Sequence, residues 1–436
     1  MRYADRGDVT GGETHHHRSA PRLYVLDGLR LLAALMVVLF HYVALYGGWD
    51  SNPSALFPSL HPFARYGWLG VEIFFLISGF VICMSTWGRS LGDFVVSRVS
   101  RIYPAYWAAV LLTAGVVSLW PQVRTVAGWG EVLTNLTMFQ QGLGVSDVDG
   151  VYWTLFIELK FYALFAVVVA TGVTYRKCVM FCGIWTAAGV IAPTADNTLL
   201  DMWAMPMYSP YFIAGIAFYL MHRFRPTALL WGIVLVSLLL AQHHLGERIT
   251  DNLADPKQPI AHWPAHLVVG LAFAVMALIA LGMFDRVRWR WLAPAGALTY
   301  PLYLVHMYVG LTMIHWLRGL LPAPYLVLAV LVVMLLAAWV LHRCVERPLG
   351  SWLRRALRQG LDDMRRYSAP LASGPQRSQA TTTGAGQAAG TGPAADAAEL
   401  EHAQELEHAA TARGAAPVAE AEHLLDAERT TVHERV

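Results

Sequence analysis

The chain has 436 residues, 56% of them hydrophobic and 14% charged, with a formal net charge of +2 and a mean hydropathy of +0.43. A water-soluble enzyme of this length needs far more charge to cover its surface, and so small a net charge gives no global field for nucleic acid, which is not an expected partner. The four cysteines, Cys83, Cys178, Cys182 and Cys344, all fall in apolar segments and match no zinc site or disulfide framework, so they read as small buried hydrophobes and no metal site is expected.

Residues 1–21 are rich in Gly, His and charge, including the tract His15, His16 and His17, and read as a disordered tail. The first apolar run has full span length and no small-residue cleavage site, so no cleavable signal is evident. In RLYVLDGLRLLAALMVVLFHY (22–42), every residue from Leu31 to Phe40 is apolar, and the run is bracketed by Arg30 and His41. Eleven positions are three helical turns, which put both on nearly one face ~16 Å apart. That stripe faces protein or water, unless Arg30 is a positive-inside anchor and His41 an interfacial residue. After a Pro- and Gly-bearing loop (47–66), a second span runs from Trp68 to Trp87. Glu72 near its start is either a buried acid or an interfacial one, and Gly79 permits close helix approach.

The connector GRSLGDFVVSRVSRIYPAYW carries Arg98 and Arg101, neighbours on one helical face, with Pro104 expected to limit the helix. Two arginines there are either topology signals or a fork for phosphate. A third span (Ala105–Trp120) and a long loop (121–150) precede VYWTLFIELKFYALFAVVVA, in which Glu158 and Lys160 both sit inside an apolar run. Two residues apart, they project about 160° from each other and do not form one simple salt bridge. Six later apolar spans, near 177–193, 203–221, 227–242, 264–284, 295–316 and 324–343, bring the total to ten. His306 lies inside the ninth, either as a functional group or as a bridge between helices. The expected fold is an all-α polytopic membrane protein.

Alternate loops taken with both tails collect most of the basic residues, including Arg89, Arg98, Arg101, Arg286, Arg354 and Arg358. The other side receives only Arg65, Arg124, Arg248, Lys257 and Arg318. The positive-inside rule then puts both ends in the cytoplasm, which requires an even number of spans. Residues 22–350 form the expected transmembrane domain, 351–368 a basic juxtamembrane segment, and 369–436 a low-complexity tail.

Several ordered motifs carry a resemblance: LDGLR, ten intervening residues and then His41, GVEIFFLISGF, RVSRIYP, the W-x-L-x-x-E-x-x-F-Y pattern of Trp153, Leu155, Glu158, Phe161 and Tyr162, and TYPLYLVH. Over roughly residues 24–350 they resemble the acyltransferase-3 family of integral-membrane O-acyltransferases. Leu31 stands where that family usually has glycine, a change in packing more than in chemistry. The resemblance implies that Arg30 and His41 are the signature pair, that Arg98 and Arg101 lie in the connector associated with an acyl-CoA donor, and that Glu158 is the acid of the fourth-helix motif. Asp27, Glu72, Trp153 and His306 are supporting candidates. Glu346, next to Arg347 and Pro348, is similar to a common family ending in which charge pairing and chemistry remain open.

Depth can be placed on this topology. His41 lies ~22 Å along the first helix from Leu26, in the outer half of a ~30 Å core, and Glu158 lies ~10 Å below the opposite entry at Val151. The two reach similar depths, so their proximity is a working expectation. His41 is the best base, with Glu158 to hold its tautomer or charge, or else it is the nucleophile that accepts the acyl group. Arg98 and Arg101 are placed to hold donor phosphates, and Arg30 to extend that path inward. The expected activity is O-acyl transfer in the bacterial cytoplasmic membrane from cytoplasmic acyl-CoA, with acetyl the expected group and no bound cofactor. The expected acceptor is a hydroxyl of a cell-surface glycan or glycosylated metabolite. The competing reading is a secondary transporter, because intramembrane His, Glu and Arg also build proton relays; neither an internal repeat nor paired broken helices favour it.

Overall fold

The computed structural model describes residues 23–253 and 260–368 of the chain. The two expected tails, with the histidine tract and Lys257, lie outside the described residues. Among the described residues the protein is all helix, without a strand. The principal helices are α1 (Tyr24–Leu39), α2 (Gly70–Thr86), α3 (Leu91–Leu119), α4 (Trp129–Thr137), α5 (Trp153–Ala170), α6 (Tyr175–Ile191) and α7 (Ser209–Arg223). They continue with α8 (Ala228–Leu253), α9 (Trp263–Ala280), α10 (Leu292–Val305), α11 (Met307–Leu317), α12 (Ala323–Leu341) and α13 (Arg347–Ser368). A π-helical turn, Phe40–Ala44, extends α1, and another, His342–Glu346, joins α12 to α13.

All ten apolar segments read from the sequence are helical. Among the described residues eight of the resulting helices are long and apolar enough to cross a membrane, or nine if α10 and α11, which bend by 70° at His306, count as one span. The remaining segment, α7, has only 15 residues and is buried from Ser209 to Met221. It is apolar all round because helices rather than lipid surround it. The fit with α2 depends on two glycines: a Cβ on Gly79 would stand 2.1 Å from the Phe212 carbonyl oxygen, and one on Gly215 2.2 Å from that of Leu76.

Loops gather alternately at two ends. At the arginine-rich end, Phe224 packs edgewise or tilted on Trp87 and Tyr175. At the opposite end, Trp153 meets Tyr208, Tyr66 donates to the Ala261 carbonyl at 2.8 Å, and Arg318 pairs with Asp50 at 2.6 Å. Exposed tryptophans mark both ends, Trp129, Trp263 and Trp316 at one and Trp289, Trp291 and Trp352 at the other. Such belts fit a multi-pass membrane protein.

Four expectations are corrected. Pro104 does not limit its helix; α3 runs from Leu91 straight through it. Ser90 starts that helix, accepting the Asp93 amide at 3.2 Å and donating to the Asp93 carboxylate at 2.8 Å. The Ser100 carbonyl, which loses its usual donor at Pro104, lies where α13 passes closest, against Gly350. The loop 121–150 is not formless: it contains α4 and is tied by Arg124 to Glu131 at 2.8 Å and by Asn135 to the Ser146 carbonyl and the Val148 amide. Cys344 is exposed, unlike the other three cysteines, because it sits on the π-turn at the end of α12 rather than inside the bundle. Finally, Arg248 is no topology charge. Its guanidinium is buried against Glu72 at 2.8 Å, over the rings of Tyr208, Trp68 and Trp153.

Candidate active site

Two connected cavities open from the arginine-rich end. The outer one, a vestibule of about 1110 Å³, is lined by Arg89, Arg101, Arg347, Arg354 and His342, with Asp27 and Glu346 as its acids. Arg30, Val81, Arg101 and Tyr300 belong to its wall and also to that of an inner chamber of about 120 Å³. The vestibule exists because α13 packs along the first half of α3 and brings Arg347 and Arg354 opposite Arg101. Arg354 Nε reaches Ser100 Oγ at 3.4 Å. His342 and Glu346, one turn apart on the π-turn, pair at 2.8 Å.

The chamber collects Arg30, Arg98, Arg101 and Glu158 among aromatic and hydroxyl side chains. Ser78 from α2 donates to Glu158 Oε1 at 2.7 Å, and Tyr162, one turn further along α5, donates to the same oxygen. Glu158 is therefore the acceptor that ties α2 to α5 and the carboxylate that offsets three guanidinium groups. Arg98 lies 6.0 Å from the Tyr162 ring centre and donates to Ser97 Oγ, while its buried Nε makes no hydrogen bond among the described residues. A buried guanidinium N–H without an acceptor is a donor available to a ligand.

His41 is not in this chamber, and its partner is His306 rather than Glu158. His41 Nδ1 lies 2.8 Å from the Val37 carbonyl oxygen, and His306 Nδ1 lies 2.8 Å from the Tyr303 carbonyl oxygen. Carbonyls only accept, so both Nδ1 atoms carry the proton. His306 Nε2 is then a lone pair, and it lies 3.2 Å from His41 Nδ1. His41 is left with an unprotonated Nε2 and keeps 8% of its surface, whereas His306 is fully covered. Tautomer and charge at His41 are thus set by a main-chain carbonyl and a second imidazole, the tasks assigned to Glu158 from sequence.

Tyr303 links the two groups. It lines the chamber, its hydroxyl lies 2.8 Å from Thr154 Oγ1, and its ring centre is 5.7 Å from that of His306. Its position follows from the break between α10 and α11, which turns His306 inward toward the π-turn holding His41. Tyr42, next to His41, donates to the His306 carbonyl at 2.6 Å, and Gly310 leaves the space that the Tyr42 hydroxyl fills.

The other sequence candidates separate. Asp27 is buried against Gly296 on the vestibule wall. Glu72 and Trp153 belong to the Arg248 cluster beyond the chamber. Lys160 donates to the Met202 carbonyl at 3.0 Å, near the C-terminus of the short helix Thr198–Ala204, where an ammonium complements the helix dipole. Ser78, Tyr162 and Tyr303 have no site role in the sequence reading, Arg347 is only a neighbour of Glu346 there, and Arg354 only a topology charge. The first three lie inside the quoted motifs, and the i, i+4 spacing of Glu158 and Tyr162 was the available signal.

Comparison with known proteins gives a consistent picture. The family model described as an acyltransferase domain matches residues 23–343. The chain is 27% identical over 376 residues to "Acyltransferase MdmB" of Streptomyces mycarofaciens, covering 77% of this chain and 93% of that protein. It is 28% identical over 300 residues to "Exopolysaccharide production protein ExoZ" of Rhizobium meliloti (65% and 89%). It is also 28% identical over 185 residues to "Putative peptidoglycan O-acetyltransferase YrhL" of Bacillus subtilis (38% and 26%), so the chain spans about a quarter of that relative. No solved structure matches.

Proposed function

Because the chain belongs to the acyltransferase-3 family, we propose that it is a membrane O-acyltransferase. In this reading it moves an acyl group, acetyl by expectation, from acyl-CoA in the vestibule to a hydroxyl of a glycan or glycosylated metabolite. The single observation that carries this reading is the continuity of the arginine-lined vestibule with a chamber that ends on Tyr303, in ring contact with His306 and hence beside His41. The vestibule offers four arginines to the phosphates of the donor, and the narrower chamber suits its thioester arm. The positive-inside argument supports a cytoplasmic vestibule as the entrance for the donor.

The residues then divide the work. His41 Nε2 takes the proton of the acceptor hydroxyl as its oxygen attacks the thioester carbonyl. His306 Nε2 accepts the hydrogen bond of His41 Nδ1, which strengthens when His41 becomes an imidazolium. Arg30, on the wall common to both cavities and three turns before His41, guides the charged donor from the vestibule inward. The C–S bond breaks, the thiolate takes the proton from His41, and ester and free thiol leave. An acyl-histidine relay uses the same lone pair of His41 as the nucleophile. The names of relatives that carry peptidoglycan and exopolysaccharide support a glycan acceptor.

The test is acyl transfer by the full-length protein in liposomes with labelled acetyl-CoA, wild type beside His41→Ala. Label on a supplied glycan, lost by roughly 10²–10⁴-fold in the variant, supports the base role. Labelled protein without acceptor selects the relay. Normal transfer by a correctly inserted His41→Ala protein sinks the assignment, and proton-coupled solute flux without transfer moves the reading to a transporter.

A further inference from the structure

A helix that breaks at a functional residue gains a useful direction and loses a constraint. At His306 the axis turns by 70°, and the amides that begin α11 have no partner one turn back. Two half-helices joined at one residue can swing, and a swing of about 1 Å is enough to part His306 Nε2 from His41 Nδ1. Some group must hold the first turn of α11.

Asp149 does so from outside both helices. It lies in the connection before α5 and is completely buried. Its Oδ2 accepts the Tyr308 amide at 3.2 Å, in the first turn of α11, and its Oδ1 accepts the Val151 amide of its own loop at 3.3 Å. One carboxylate therefore ties that loop to the start of α11. Gly150 brings the two together: a Cβ there would stand 2.9 Å from Met307 Sδ. On the other side, Tyr42 holds the His306 carbonyl from the π-turn that also carries His41. The break is gripped by Tyr42 and by Asp149, and neither touches the reacting atoms.

We infer that Asp149 is a positioning residue for the His41–His306 pair, acting by fixing the first turn of α11 and with it the break on which His306 sits. The inference rests on the reading of His41 as base or nucleophile. A merely structural plug at this place lowers the amount of folded protein and leaves the chemistry of each folded molecule alone. A positioning residue lowers turnover per folded molecule.

The experiment uses the full-length protein in liposomes, with ¹⁵N-labelled histidine assigned by difference against His41→Ala and His306→Ala. Asp149→Ala is expected to lower kcat by about 100-fold with an unchanged KM for acetyl-CoA, and to shift the ring-nitrogen resonances of His41 and His306. Asp149→Asn keeps a carbonyl acceptor for the Tyr308 amide and is expected to restore most of kcat and both resonances; Asp149→Leu, which fills the space and accepts nothing, replaces the alanine variant if that one does not insert and is expected to show the same loss. Wild-type kcat with unmoved resonances in Asp149→Ala, which removes both acceptors, overturns the inference, and so does an inserted Asp149→Asn protein whose kcat falls as far as that of the alanine variant. So does a rise in KM alone. If the wild type transfers no acyl group, the reading of the site fails, and the histidine resonances still test the positioning separately.

Discussion

At the scale of single residues, the two imidazoles differ only in what remains after their Nδ1 protons are committed to carbonyls. His306 spends its lone pair on His41, and His41 has one left over. Removing His306 leaves the Val37 carbonyl to fix the tautomer and takes away only the neighbour that stabilises charge. His306→Ala is therefore expected to lose kcat by about 10–100-fold, well short of His41→Ala in the same transfer assay. Glu158→Gln is a second case: Ser78 and Tyr162 keep an acceptor, but three arginines lose their carboxylate. A loss of about 1–3 kcal/mol is expected, read as a lowered melting midpoint in detergent. Asp149 gives a pH prediction. Burial raises its carboxyl from 3.8 to about 7 against the pull of its two backbone donors, and the charge of Asp147 adds to the rise. A folded pKa above the ordinary one stabilises the fold below 3.8, and that contribution is lost as pH rises through about 7. The melting midpoint should accordingly fall between pH 5 and 8, and less so in Asp149→Asn. Arg30, His41 and Glu158 could be read from sequence because a polar residue in an apolar run needs a reason. Asp149 could not, because a loop acid carries no such signal, and Arg248 was misread because a charge near the end of a span is ordinarily interfacial.

At the scale of elements, close approach decides what the helices can do. Gly310 admits the Tyr42 hydroxyl to a place where a Cβ would lie 1.9 Å away. Gly310→Ala should expel that hydroxyl, free the His306 carbonyl and lower kcat while the protein still inserts; an unchanged kcat at wild-type expression would show that Tyr42 is not part of the grip. Apolar length and period made the helices legible, but α7, expected as one of ten spans, is a buried helix of 15 residues that falls short of span length. Two local features were not legible. Pro104 removes one hydrogen bond without ending α3, and the Ser100 carbonyl it leaves behind faces α13 at Gly350. The bend at His306 has no proline or glycine at the break, and depends on groups from α1 and the loop before α5 that sequence spacing cannot bring together.

For the molecule as a whole, composition alone excluded a soluble enzyme, and charge asymmetry alone separated the two ends. The vestibule was hidden because Arg347 and Arg354 stand about 250 residues from Arg101, Arg347 reading as the neighbour of Glu346 at the end of the last span and Arg354 as a juxtamembrane charge. If they hold donor phosphates, Arg347→Gln and Arg354→Gln should each raise the KM for acetyl-CoA with kcat unchanged, the sign of binding lost equally in ground and transition states. The exposed thiol at Cys344 gives the protein a native chemical reporter. Cys83, Cys178 and Cys182 are sealed in the bundle, so a maleimide finds one target, on the π-turn that joins α12 to α13 at the arginine-rich end. A membrane-impermeant maleimide offered to intact cells should leave the protein unmodified and should add one mass increment after the cells are opened. Modification of intact cells would turn the whole molecule over in the bilayer, vestibule outward, and with it the side from which any donor must arrive. One natural sulfur can thus report the orientation of the enzyme.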